Sequence, residues 1–189
     1  MQKTIYLLLI EIAPIIVFFA AGQFLTFAAA TAWYVLATAV GMGIVWKLAG
    51  RVSYLSLIFG ATIMIFGSVS IWLAKPDILI LADTIYYCSA GLILASLQLR
   101  GYTVMERLFS PTFGMTAQGW RILTWRWVTI LLLAGILNEL VRQLGTTDDW
   151  LWFQLIRTIV FILFATYQFT VTKRYRLPTA TAWGIVVAK

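Results

Sequence analysis

At 189 residues, of which 62% are hydrophobic and 11% charged, the chain has the length of one domain but is far more apolar than the roughly 45–50% of a soluble one, so it reads as a single membrane domain over residues 1–189. A net charge of +7 would point to nucleic acid in a soluble protein. Here the cations gather in alternate connections, so the charge reports orientation in a bilayer and no nucleic-acid partner is expected. With no histidine and one cysteine, Cys88, an intramolecular disulfide, a His/Cys zinc site, imidazole ligation of haem and histidine base catalysis are all excluded, and no cofactor is expected.

The first apolar run, residues 5–22, is interrupted by Glu11 and Pro14. A carboxylate and a proline in mid-run are poor signal-peptide chemistry, and another apolar segment follows within a few residues. Two readings stay open: a kinked sixth span, or a re-entrant hairpin protected by neighbouring helices. Segment two, residues 24–46, carries Ala28, Ala32, Ala39 and Gly43 at spacings of four, seven and four. Such a stripe lets another helix approach closely, although general alanine richness gives the same pattern. A basic connection with Lys47 and Arg51 leads to segment three, residues 52–74, where Gly60 and Gly67 form a second close-packing seam. Lys75, Pro76 and Asp77 then turn the chain into segment four, residues 78–99. Its Asp83 and Gln98 lie near the two ends, shallow enough for solvent to reach them.

The longest connection, 100–119, sets Val104, Met105, Leu108 and Phe109 on one side and Glu106 and Arg107 on the other. That is the pattern of a short helix at about 102–109 lying in the headgroup region, ended by Ser110, Pro111 and Gly114. Segments five and six, residues 121–144 and 150–172, form a hairpin across a turn at 145–149. Each is long enough for a hydrocarbon core of about 30 Å. Trp46, Trp72, Trp120, Trp125, Trp127, Trp150 and Trp152 fall near span ends, where aromatic belts form. Lys47, Arg51, Arg100, Arg107, Arg121, Lys173, Arg174 and Arg176 occupy one set of connections, and Asp77, Asp148 and Asp149 the other. The positive-inside rule then places the tail, residues 173–189, in the cytoplasm. That tail carries no clear structural pattern.

Ionisable side chains inside apolar runs require a partner or a cavity. With about 1.5 Å of rise per residue, Glu139 lies nearly one membrane thickness from Trp120. Arg157 enters from the Glu139 side, and Arg126 and Gln168 share a depth nearer Trp120. A contact between Glu139 and Arg157 fits this geometry, and Asn138 and Arg142, one turn apart, are placed to orient the glutamate. Asn138, Glu139, Arg142, Arg157, Arg126 and Gln168 therefore form a candidate polar cluster. Glu11 joins them, either buried against a cation or near the interface. Polar contacts between membrane helices contribute about 0.6 kcal/mol each, up to roughly 2, so interhelical contact is the plain role of the cluster and a working site the sharper one. Proton transfer between Glu11 and Glu139 is disfavoured, because a carboxylate beside a guanidinium stays ionised.

No Walker loop, dinucleotide-type glycine fingerprint, paired-cysteine motif or nucleophile elbow occurs, so no enzyme activity is expected. Residues 8–21 (LLIEIAPIIVFFAA), the 101–109 connection with Glu106 and Arg107, and residues 120–141 (WRILTWRWVTILLLAGILNELV), continued by Trp150, Phe153 and Gln168, resemble the intracellular septation protein A family. The likeness covers nearly the whole chain and is most specific at Trp120, Arg121, Arg126, Trp127, Asn138 and Glu139. Residues 110–117 and the tail after Arg176 depart from it. The resemblance implies a bacterial inner (plasma) membrane protein tied to cell division, envelope synthesis and envelope integrity, in contact with division and elongation machinery. It carries over no catalytic residues.

The expected architecture is an all-α polytopic integral membrane helical bundle, with five transmembrane helices plus the proline-containing first segment. The C-terminus is cytoplasmic, and the N-terminus is inside if the first run spans. Expected partners are the lipid bilayer and other inner-membrane proteins of division and envelope synthesis, in a homo- or hetero-oligomer. One alternative is a small transporter or channel using Glu139 and Arg157, which would need a continuous hydrated path to them. Another is an accessory subunit of a larger membrane complex.

Overall fold

In the computed structural model, which describes residues 2–50, 54–110 and 112–186, excepting the side chains of 2–9, 11, 12, 49, 54–56 and 59, each apolar run of the sequence is helical. The elements are α1 (Gln2–Phe24), α2 (Phe27–Ala49), α3 (Tyr54–Trp72), α4 (Pro76–Leu99), α5 (Val104–Phe109), α6 (Ala117–Leu144), α7 (Thr147–Tyr167) and α8 (Phe169–Arg174). Among the described residues, four stretches are long and apolar enough to cross a bilayer: Phe27–Leu48, Pro76–Leu99, Ala117–Leu144 and Thr147–Arg174. That is one fewer than expected: the uninterrupted described stretches of segments three and one are Gly60–Trp72 and Ala13–Phe24, which by themselves fall short of the length that counts as a crossing. The re-entrant hairpin is also corrected. α1 continues as one helix of 23 residues with Pro14 inside it, whereas a hairpin would need a break there. Arg51, Pro111 and the last three residues of the tail lie outside the described residues.

Helix ends follow local chemistry. Thr26 Oγ1 accepts from the Ala29 N–H at 3.4 Å to cap α2. Pro76 opens α4, at the position where its missing N–H costs no hydrogen bond. Before α7, the Thr146 N–H donates to Asp149 Oδ2 at 2.8 Å and the Asp149 N–H donates back to Thr146 Oγ1 at 3.2 Å. This reciprocal box lets the chain leave α6 and start α7 within two residues.

The chain packs as two compact units. Unit 1 comprises Met1–Tyr86 and Leu137–Ile156, and unit 2 comprises Tyr87–Ile136 and Arg157–Lys189. The core of unit 1 is built around Phe18, Ala30, Tyr34, Ile63, Leu79, Ile80, Trp150 and Leu151. There Phe18 stacks on Tyr34 at 4.7 Å between ring centres and meets Trp150 edge-on at 5.7 Å. The glycine seam of segment three is a true contact: a Cβ on Gly67 would lie 2.8 Å from Val35 Cγ2, so only glycine lets α3 come this close to α2. The alanine stripe of segment two behaves differently. Ala28, Ala32, Ala39 and Gly43 are all exposed, and nothing lies within 4 Å of a Cβ placed on Gly43.

In unit 2 the core is formed by Met105, Met115, Trp120, Leu123 and Val171. Trp120 and Trp150 are 2% and 0% exposed, so these two expected belt residues are core residues, while Trp46, Trp72 and Trp152 do face outward. The described part of the tail, through residue 186, is ordered as well, against expectation. It folds back on the 112–116 segment through backbone hydrogen bonds from Leu177 N–H to Gly114 O (2.9 Å), Gly114 N–H to Gly184 O (2.8 Å) and Val186 N–H to Thr112 O (2.9 Å). Gly184 permits the fold-back, with φ of 76° and the Thr172 carbonyl 2.8 Å from where a Cβ would sit.

Candidate functional site

Helical spacing gathers polar groups on single faces. In α4, Ile80, Asp83 and Thr84 stand at i, i+3 and i+4, and in α7, Trp150 and Gln154 stand at i and i+4. Asn138 of α6 joins both sets within unit 1. Its Nδ2 donates to the Ile80 carbonyl at 2.8 Å and to Thr84 Oγ1 at 2.9 Å, and its Oδ1 accepts from the Trp150 indole N–H at 2.9 Å. The Asn138 side chain is 0% exposed. One carboxamide thus ties three helices where no water competes, the setting in which a polar group must find partners inside the protein.

Beside it, Gln154 Nε2 donates to Asp83 Oδ2 at 2.7 Å, with both residues buried. Asp83 is 5% exposed, which corrects the expectation that its shallow position leaves it solvated. Gln98 is likewise buried, at 9% exposed. Depth along a helix says nothing about rotation around it, and in both cases rotation turns the side chain inward.

Glu139 sits at the margin of this cluster. Its carboxylate takes Arg142 Nη2 at 2.6 Å and Nε at 2.9 Å, the Gln143 amide at 2.7 Å and the Thr84 hydroxyl at 3.2 Å. The forked Arg142 contact is geometrically strong, yet the two side chains are 26% and 24% exposed. Glu139→Gln is therefore expected to cost no more than about 1 kcal/mol, and a thermal melt in detergent should move by about 2–4 °C at most. A larger loss would mean that the pair bears more of the fold than its exposure permits.

The other candidates group separately. In unit 2, Arg126 Nη1 donates to Gln168 Oε1 at 3.5 Å, and its guanidinium lies 5.3 Å from the centre of the Tyr167 ring. The shared depth of Arg126 and Gln168 is thus a contact. Arg157, also in unit 2 and 6% exposed, lies 4.5 Å over the Tyr87 ring, which in turn meets Phe161 at 5.6 Å. Glu139 belongs to unit 1, and the counter-ion it holds is Arg142, three residues on. Glu11 is carried on α1, its side chain outside those described.

Sequence reasoning missed Asp83, Thr84, Trp150 and Gln154. The signal was present in the i, i+4 pairing of Ile80 with Thr84 and of Trp150 with Gln154 on helices that also carry buried faces. Among the described residues, no three Cys, Asp or Glu side chains come together as metal ligands would.

The intracellular septation protein A family matches residues 7–178. The chain belongs to this family. Relatives include the inner membrane-spanning protein YciB of Nitrobacter hamburgensis, 30% identical over 172 residues that cover 90% of this chain and 86% of the relative. The protein of the same name from Agrobacterium fabrum is 30% identical over 182 residues, covering 88% and 89%. That from Brucella suis is 31% identical over 160 residues, covering 82% and 78%. No solved structure matches the chain. As a member of the septation protein A family, it is a multi-pass protein of the inner membrane.

Proposed function

We propose that this septation protein A family member is an inner-membrane scaffold that supports cell division and envelope maintenance, acting by helix packing against other membrane proteins of division and envelope synthesis. Its buried polar side chains serve as a clamp that fixes the helices, and the outer face of α2 serves as the packing surface. Asn138, Glu139, Arg142, Arg126, Arg157 and Gln168 act in this reading as structural residues, with Glu11 as a further member. The whole chain is one membrane domain. α1 and α3 cross the bilayer along with the four longer stretches: their 23 and 19 residues amount to about 34 and 28 Å at 1.5 Å per residue. Six crossings with basic connections inside put both termini in the cytoplasm.

The observation that carries this reading is how the polar groups are used. Asn138, at 0% exposure, spends its amide on Ile80, Thr84 and Trp150, while the stripe of small residues on α2 is left open. The experiment is mild crosslinking in native membranes, followed by identification of the captured proteins, for the wild type and for Gly43→Leu. Division and envelope-synthesis proteins should be recovered by the wild type, and several-fold less by the variant at unchanged thermal stability. Recovery of transport or lipid-processing components alone would overturn the assignment, and equal recovery by the variant would remove α2 as the surface.

A further inference from the structure

The folded tail of unit 2 makes a surface that the clamp and the α2 face do not account for. Arg100, Arg107, Arg121, Lys173, Arg174 and Arg176 are all exposed. Within residues 100–121 and 173–176, where they lie, Glu106 is the sole acid. Among the described residues, none of these six cations is held by a carboxylate. Several are instead laid against aromatic rings: Arg107 at 5.6 Å from the centre of Tyr102, Lys173 at 5.4 Å from Trp183 and Arg174 at 5.7 Å from Tyr175. Arg176 is pinned by its own hydrogen bond to the Lys173 carbonyl at 3.1 Å.

The apolar groups on this surface are equally unusual for residues outside a span. Trp183 is 56% exposed and Tyr102 53%. Leu177, Ile185 and Val186 are exposed beside them. The tail residues among them, Leu177, Trp183, Ile185 and Val186, are held in place by the backbone bonds between the tail and residues 112–116, so this part of the surface is built before anything binds. The segments that carry it start at the ends of stretches able to cross the bilayer, Pro76–Leu99, Ala117–Leu144 and Thr147–Arg174. It therefore stands at headgroup depth, where indole rings and long cationic side chains are both favoured.

We propose that this surface is a preformed binding site for anionic phospholipid headgroups of the chain's own leaflet, with the six cations taking the phosphodiester oxygens and Trp183 seated among the upper acyl carbons. The occupant follows from charge complementarity and from depth. A cluster of cations with so little acid needs an anion, and the exposed Trp183, Ile185 and Val186 need an apolar environment at the same place. A lipid headgroup with its chains supplies both. The assignment is independent of which protein the α2 face takes.

The test uses the full chain in detergent, exposed to equimolar phosphatidylglycerol and phosphatidylcholine with identical acyl chains, with retained lipid counted by native mass spectrometry. Several cations act together at an anionic lipid surface, so phosphatidylglycerol should be retained in at least about tenfold excess. The triple variant Arg107→Gln, Lys173→Gln, Arg176→Gln should bring the ratio close to unity while its thermal melt stays within a few degrees of the wild type. Trp183→Ala should lower retention of both lipids. Equal retention of the two lipids by the wild type would overturn the proposal, and that readout needs no variant to fold. So would an undiminished preference in a folded triple variant, or loss of the preference on adding millimolar inorganic phosphate at constant ionic strength, which would make the site one for free phosphate.

Discussion

Asn138→Leu is expected to be among the most destabilising single substitutions in the chain. Leucine is close in size, so little cavity opens, but three hydrogen bonds vanish at once. The Trp150 indole N–H, on a residue that is 0% exposed, is the group most harmed. Water cannot reach it, and an orphaned buried donor costs roughly 1–3 kcal/mol. Polar contacts within membrane bundles run lower, about 0.6 kcal/mol each with a maximum near 1.7. Together these put the loss at about 2–4 kcal/mol, or roughly 5–15 °C in a thermal melt in detergent for a chain of this length. Trp150→Phe should lose a smaller share, since the ring still fills the pocket beside Phe18 and Phe27. The double variant should be less destabilised than the sum of the two, with a coupling of about 0.5–2 kcal/mol. Strict additivity would mean that the amide and the indole do not act together.

Gly91→Val should be as damaging by the opposite mechanism. A Cβ on Gly91 would stand 2.8 Å from both Cγ and Cδ2 of Leu132 and 3.4 Å from the Leu132 backbone nitrogen. Rotation of the leucine eases the first two contacts, but a β-branched side chain adds two methyl groups beyond a Cβ that already stands in van der Waals contact with the Leu132 backbone. Overpacking of this kind costs about 1–3 kcal/mol, and more where backbone must move. The expected result is poor recovery of folded chain from detergent extracts and a melt lowered by at least about 5 °C. Gly43→Val is the matched control. It sits on a helix of similar composition with nothing within 4 Å of the new Cβ, so it should fold and melt like the wild type. If both variants behave alike, generic loss of glycine rather than the α4–α6 contact would be responsible.

Much of the fold could be read from hydrophobic run length alone. Every apolar segment is a helix, and the boundaries at Pro76 and at the Gly145 turn follow from turn chemistry that is local in sequence, whereas α2 starts at Phe27 behind its Thr26 cap and not at residue 24. Rotation about each helix axis could not be read in the same way. Trp150 and Asp83 were placed by depth, near span ends, where a belt residue or a solvated acid belongs. Both instead point inward, and they are held there by Asn138 and Gln154 on other helices. The i, i+4 spacing marks a face of each helix but not the partner across from it, because the two pairings join residues 12 and 71 positions apart. Glu139 illustrates the converse. Its contact with Arg142 is local, three residues along one helix, and the sequence places Arg142 within reach of the glutamate as an orienting group while pointing to Arg157 as its partner. The tail was opaque for a further reason: its order rests on backbone hydrogen bonds to residues 112–116, which carry no side-chain signature.

The most direct test of the clamp is hydrogen–deuterium exchange at the indole N–H of Trp150, followed by NMR in the wild-type chain in lipid nanodiscs and assigned by the Trp150→Phe spectrum. A dry clamp built on Asn138 predicts that the Trp150 signal persists long after that of the exposed Trp183 has gone. Exchange at Trp150 as fast as at Trp183 would mean that water reaches the heart of the cluster, and that these side chains line a hydrated path instead of locking three helices together.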